Sequence, residues 1–171
     1  MPELLIRDEC EGDAGAIRAV TLAAFAGVSY SEQTEAAIVD ALRAAGALAV
    51  SLVAVEEGEI VGHVAFSPVA VDGAPAPGWF GVGPLSVRPD RQRSGVGTAL
   101  MRAGLARFGD ADAKGCVLVG DPAYYRRFGF RASSLLRYPD LPAEYFQVLA
   151  LGADTPSGIV AFHPAFAARD D

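Results

Sequence analysis

Apolar residues recur along this chain with two periods, and the changes of period mark out its elements. A short strand is predicted over Glu3 to Arg7. Asp13 then stands where an N-cap is wanted, ahead of Ile17, Val20, Thr21, Ala24 and Phe25, which return at helical spacing. Ser29-Tyr30-Ser31-Glu32 has the spacing of a capping box, and Ile38, Val39 and Leu42 carry an apolar stripe until Gly46 stops the second helix. Leu48 to Val55 and Ile60 to Val71 are rich in Val and Ile, and Glu56-Glu57-Gly58-Glu59 joins them as an antiparallel hairpin with glycine in the turn. The Gly- and Pro-rich stretch Asp72 to Gly78 reads as a connecting loop. Trp79 to Val87 is a further strand, closed by Pro89, which has no N–H to give to a neighbour.

From Ser94 to Phe108 the helical period returns, with Val96, Ala99, Leu100 and Ala103 in one stripe and Met101, Leu105 and Phe108 beside it. So wide an apolar face predicts a broadly buried helix. Cys116 to Val119 is almost wholly apolar, as a strand in the middle of a covered sheet is. After Gly120 come a short helical turn through Tyr125, the segment Phe128-Gly129-Phe130, and two last strands over Tyr145 to Leu151 and Gly158 to Phe162. The order β-α-α-β-β-β-α-β-α-β-β predicts an α/β domain whose mixed sheet is mostly antiparallel, because hairpin-joined strands precede a strand–helix–strand unit.

The length of 171 residues suits one domain over 1–171, and 51% hydrophobic residues supply a core for it. No apolar run reaches the roughly 18 residues of a membrane span. Met1-Pro2-Glu3-Leu4 lacks a basic signal-peptide start, so a cytoplasmic protein without membrane contact is expected. Cys10 and Cys116, the two cysteines present, stand far apart without a second pair or a nearby His at zinc-ligand spacing, which suggests neither a disulfide framework nor a metal site, and both are expected as buried, inert thiols. The net charge of −7 argues against a nucleic-acid partner. That charge is unevenly spread: residues 88 to 137 carry ten of the fourteen basic side chains, a local +6 against −13 elsewhere. A basic island suits a polyanionic small ligand, and the acidic remainder suits a cationic one.

The island opens on Leu85-Ser86-Val87-Arg88-Pro89-Asp90-Arg91-Gln92-Arg93-Ser94-Gly95-Val96-Gly97-Thr98. A strand here runs into a turn that starts a helix, whose first amides lack partners and whose dipole favours an anion. Gly95 and Gly97 admit a phosphate close to the backbone. A Walker loop would need Gly-Lys-Ser or Gly-Lys-Thr, and Gly97-Thr98 has no such lysine. A dinucleotide fingerprint would need a third glycine and a first parallel strand ahead of it.

Gln92-Arg93-Ser94-Gly95-Val96-Gly97 resembles the coenzyme A motif of the GNAT superfamily, which reads Gln or Arg, two variable residues, Gly, one variable residue, then Gly or Ala. Leu85-x-Val87-x-Pro89 fits ahead of it. Downstream, Asp121-Pro122-Ala123-Tyr124-Tyr125-Arg126-Arg127-Phe128-Gly129-Phe130 is similar to the family's Tyr-x-x-x-Gly-Phe segment, and Gly120 to Tyr125 looks most like a bacterial acetyltransferase group of mostly unassigned substrate. The resemblance implies acetyl-CoA as cosubstrate. The backbone of Gln92, Arg93, Ser94, Gly95, Val96, Gly97 and Thr98 then cradles the pyrophosphate, the main chain of Leu85, Ser86 and Val87 pairs with the pantetheine arm, and Arg91, Arg93 and Arg127 screen phosphate charge. Tyr125 aligns with the tyrosine that protonates the departing thiolate, with Tyr124 its competitor.

The strand Trp79 to Val87 has no Asp or Glu, a departure from members that place a carboxylate there to serve as base. His63 stands in as candidate on titration grounds, since an imidazole ordinarily titrates near 6.5. Glu35 and Glu32, on the helix that walls the acceptor site in this fold, are candidates for a cationic substrate. The function implied is transfer of acetyl from acetyl-CoA to a primary amine of a small molecule, peptide or protein by direct attack in a ternary complex. The alternative is a non-catalytic module that binds or senses acyl-CoA. A homodimer is compatible with a domain of this size.

Overall fold

The structure, a computed structural model, describes residues 3–108, 113–152 and 154–170. Its elements are β1 (Leu4–Asp8), α1 (Ala14–Phe25), α2 (Glu35–Ala44), β2 (Val50–Glu56), β3 (Glu59–Val71), β4 (Ala74–Val87), α3 (Val96–Ala106), β5 (Gly115–Val119), α4 (Pro122–Tyr125), β6 (Leu136–Arg137), β7 (Phe146–Ala150) and β8 (Gly158–Ala161). The strands follow the order β1-β2-β3-β4-β5-β7, with β8 beside β3 and β6 beside β8. Pairs β1–β2, β2–β3, β3–β8 and β5–β7 are antiparallel, whereas β4–β5 and β6–β8 are parallel. This is the α/β fold with a mixed, mostly antiparallel sheet that the pattern predicts, with the two-residue β6 added to the expected order.

Three local expectations are corrected. Asp72 to Gly78 is not a loop: Asp72 and Gly73 alone make the turn, with φ of 51° and 79°, and Ala74 onward already belongs to β4. An Asp-Gly pair with both φ positive is the hairpin turn that matches strand twist, and it prevails over the prolines beside it. The capping box at Ser29 to Glu32 does not form, because α2 starts three residues later; Ser31 Oγ donates instead to the Glu35 carboxylate at 2.7 and 2.8 Å. Cys10 is exposed rather than buried, while Cys116 is buried in β5, where loss of water pushes its thiol up to about 12.

The chain divides into two compact units, Met1–Phe66 with Gly83–Arg107 and Pro164–Asp171, and Ser67–Val82 with Phe108–His163. In the first, α1 and α2 cover the face of β2 and β3 that carries Val53, closing Ile17, Val39 and Val53 into a core. Ile38 and Leu42 of α2 pack with Ala47, Ala165 and Phe166. Successive strand residues point to opposite faces, so Gly62, next to His63 opposite Val53, faces the other way. There it meets α3: a Cβ on Gly62 would come within 2.9 Å of Val96 and 3.0 Å of Leu100. Gly104 of α3 likewise leaves the room that the Phe66 ring fills. The second unit has its own core of Val69, Trp79, Val117, Leu136, Phe146, Val148 and Val160.

Candidate functional site

The predicted anion turn lies wholly in the first unit. Ser86 is fully buried at the end of β4 between half-buried Leu85 and Val87, and Arg88 N–H still donates to Val61 carbonyl at 2.8 Å. Pro89–Arg91 then forms one tight 3₁₀ turn. Two side chains brace the passage from that turn into α3: Gln92 Nε2 donates to the Val87 carbonyl at 3.0 Å, and Ser94 Oγ donates to the Arg91 carbonyl. Arg93 and Gly95 both take left-handed backbone, with φ of 63° and 95°. Gly95 is the N-cap of α3, and no side chain caps that helix. Val96 is sunk into the core while Gly97 and Thr98 are half-buried. A helix start with left-handed glycine, no capping side chain and a positive dipole end favours an anion at its amides.

The arginines around this turn are unequal. Arg88 is held by Asp90 at 2.7 Å and Glu59 at 3.1 Å, and Arg91 by Glu56 at 2.6 Å and Asp90 at 3.2 Å. Their charge is largely matched inside the protein. Arg93 is exposed and makes no ion pair among the described residues.

Tyr125 and Arg127 belong to the second unit. There the Asp121 carboxylate accepts from Ala123 N–H at 2.9 Å, and the Asp121 carbonyl accepts from the Tyr124 and Tyr125 amides at 3.1 Å each, closing α4 as one turn. The Tyr125 ring lies against Gly120, where a Cβ would overlap it, and meets the Tyr124 and Phe130 rings edge-on at 4.9 and 6.2 Å. Gln147 Nε2 fixes the same Gly120 by donating to its carbonyl at 3.0 Å. Tyr124 carries the Arg127 guanidinium 4.3 Å over its ring, and Arg127 Nε donates to the Tyr124 carbonyl at 2.8 Å. The sequence motif contains Gly120 without giving it a role, and it does not contain Gln147. For Gly120, the break between an apolar strand and Asp-Pro is the available signal.

His63 has no solvent exposure, and its Nε2 lies 2.8 Å from Ser51 Oγ. Ser51 Oγ donates to Glu9 Oε1 at 2.5 Å, and Glu9 is gripped by Arg43 through Nε at 2.7 Å and Nη2 at 3.0 Å. Burial pushes the imidazole down to about 4, with Glu9 opposing and Arg43 assisting. For Glu9, burial favours the protonated form, but the hydrogen bonds from Arg43 and Ser51 outweigh it and hold the carboxyl below its ordinary range. Residues 9, 43, 51 and 63 sit far apart in the chain, so no spacing could have announced them. Glu35 is occupied by Ser31, and Glu32 pairs with Arg169 at 3.1 Å on the surface. Among the described residues no group of His, Cys, Asp and Glu is arranged to hold a metal, and no helix is long and apolar enough to cross a membrane.

Comparison with known proteins agrees with the fold. The model of the acetyltransferase (GNAT) domain matches residues 47–132. The uncharacterized N-acetyltransferase YhbS of Escherichia coli K12 is 35% identical over 171 residues, covering 95% of this chain and 98% of that one. A GNAT family acetyltransferase from Brucella melitensis, solved in complex with acetyl-CoA, is 54% identical with a TM-score of 0.86, over 96% of this chain and 98% of that chain. Escherichia coli YhbS, solved with CoA, superposes with a TM-score of 0.84 at 33% identity, over 97% and 93% of the two chains.

Proposed function

The chain belongs to the GNAT acetyltransferases, and from that membership we propose that it moves an acetyl group from acetyl-CoA to a primary amine by direct attack within a ternary complex. The observation that carries the reading is the start of α3, opened by left-handed Gly95 and capped by no side chain. The amides from Gln92 to Thr98 receive the pyrophosphate, the main chain of Leu85 to Val87 pairs with the pantetheine amides, and Arg93 and Arg127 screen charge. The acetyl-CoA bound by the Brucella relative at 54% identity supports this assignment.

In the proposed reaction the amine lone pair attacks the thioester carbonyl, forming C–N. The C–S bond then breaks, and sulfur leaves with the bonding pair. Tyr125 gives its phenolic proton to that sulfur and recovers one from the nitrogen of the adduct, so CoA departs as a thiol. Glu35, with Glu32 beside it, attracts the cationic acceptor.

A thiol-release assay with a panel of amines at saturating acetyl-CoA tests the proposal. CoA release that depends on the acceptor is expected. A folded protein that binds acetyl-CoA and releases none with any amine is instead the non-catalytic acyl-CoA module, a reading favoured by a β4 without carboxylates.

A further inference from the structure

Among the described residues of the first unit, two buried side-chain atoms have no hydrogen-bond partner, His63 Nδ1 and Ser86 Oγ. They are neighbours in register. Arg88 N–H bonds the Val61 carbonyl across β3 and β4. The Asp72-Gly73 hairpin makes these strands antiparallel, and a Cβ on Gly62 would come within 3.1 Å of the Ser86 carbonyl, so two residues inward from that bond Ser86 stands opposite His63, on one face. Nothing in the fold requires a serine and a histidine facing each other in a core, and leaving both unsatisfied costs stability. On its other side the imidazole is not orphaned: Nε2, Ser51 Oγ and the Glu9 carboxylate form a continuous chain, and Glu9 retains 18% of its side-chain exposure. The carboxylate can only accept, so Ser51 gives it the hydroxyl proton and must itself accept from His63. That sets the ring as the Nε2–H tautomer, with the open lone pair on Nδ1.

We propose that His63, Ser51 and Glu9 form a proton relay that carries the proton of the incoming ammonium away from β4 to solvent, with Nδ1 as its entry and Ser86 Oγ orienting the water that delivers it. The proposal rests on the amine-acetylating reading of the function. In the step, R–NH₃⁺ gives one proton through water to Nδ1. The Nε2 proton passes to Ser51 Oγ, the Ser51 proton passes to Glu9, and Glu9 releases it to bulk. The amine is left neutral with its lone pair free, and no charge accumulates on the ring. A relay needs an imidazole that passes protons without keeping them, and burial has made this one a weak base. Arg43 serves the same end from α2, holding Glu9 in place and acidic enough to let the proton go. Asp40, the other charge near Arg43, touches that guanidinium at 3.3 Å. Glu9, Ser51 and Arg43 are positioning and conducting residues; they do not touch the acetyl group.

The test separates the relay from a structural role by the basicity of the acceptor. With an alkylamine at pH 7, Ser51→Ala lowers kcat about tenfold, the size of an ordinary proton-transfer contribution. With a weakly basic acceptor such as a hydrazide, already neutral at that pH, it changes kcat little. Ser51→Thr restores the alkylamine rate. Equal losses on both acceptors, or no loss on either, would overturn the relay. Nitrogen-15 NMR of His63 in the unliganded wild-type protein is the second arm and needs neither a variant nor turnover. An Nε2–H ring is expected, and an Nδ1–H ring sinks the proposal even where the acetylation assay succeeds. Absence of acceptor-dependent CoA release in wild type would instead strike the underlying reading.

Discussion

Tyr124 and Tyr125 have the same chemistry, and only their neighbours tell them apart. Tyr124 lies under the Arg127 guanidinium, whose electrostatic preference is for the ring face. Tyr125 rests on the bare backbone of Gly120, itself fixed by Gln147. A ring seated on glycine and walled by Phe130 has its hydroxyl position set, which a general acid requires. Tyr125→Phe is therefore expected to lower kcat tenfold or more with coenzyme affinity unchanged by calorimetry, while Tyr124→Phe leaves kcat within about twofold. The reverse order would move the acid to Tyr124. At this scale the motif points to the pair of tyrosines but not to the contacts that distinguish them, since Gly120 meets Tyr125 from the end of β5 and is itself held by Gln147 of β7. His63 shows the limit more sharply: its letter is legible as a titrating group, whereas its partners Ser51 and Glu9, which decide what it can do, lie 12 and 54 residues away in the chain.

Elements are legible wherever a long apolar period meets a distinct stop. The start of α3 is readable because Gly95 and Gly97 interrupt the charged turn just where the helical stripe of Val96, Leu100 and Met101 begins. The sequence pattern cuts β4 short because its prolines resemble breakers, although Asp72-Gly73 has already turned the chain. The start of α3 also offers the clearest element-scale prediction. Gly95 and Gly12 share nearly the same backbone, φ of 95° and 96°, and a Cβ at either meets open space. Alanine at each carries the same left-handed strain, about 1 kcal/mol of stability. Only at Gly95 does the new methyl stand where we propose that the phosphates approach. Gly95→Ala is expected to weaken CoA binding by tenfold or more, and Gly12→Ala to leave it unchanged. Equal affinities for the two variants in calorimetry would remove the anion role from this turn.

At the scale of the whole molecule the charge map of the sequence overstates the basic island, because folding matches part of it. Arg88, Arg91 and Arg107 are each tied to carboxylates of β1 to β3 or the turn after β4. Folding also makes stability depend on pH, and below neutrality the burial of His63 contributes to that dependence. Its imidazole falls from 6.5 in the unfolded chain to about 4 in the fold, so between those values the unfolded state binds the extra proton. The stabilisation is thus fully present above about pH 6.5 and is lost as pH falls toward 4, to a total of about 3 kcal/mol. Glu9 and Asp13 act in a lower window. Glu9 is held down against burial by Arg43 and Ser51, and Asp13 by the Arg7 hydrogen bond and the Cys10 amide. Their contributions are present above the ordinary carboxylate range and fade as pH falls below it. Urea unfolding is therefore expected to show stability level from about pH 8 to about 7, falling through about pH 5, and falling again below about 4. His63→Gln should flatten the first decline and keep the second. A variant whose stability runs parallel to wild type between about pH 7 and 5 would show that His63 is protonated as easily in the fold as outside it.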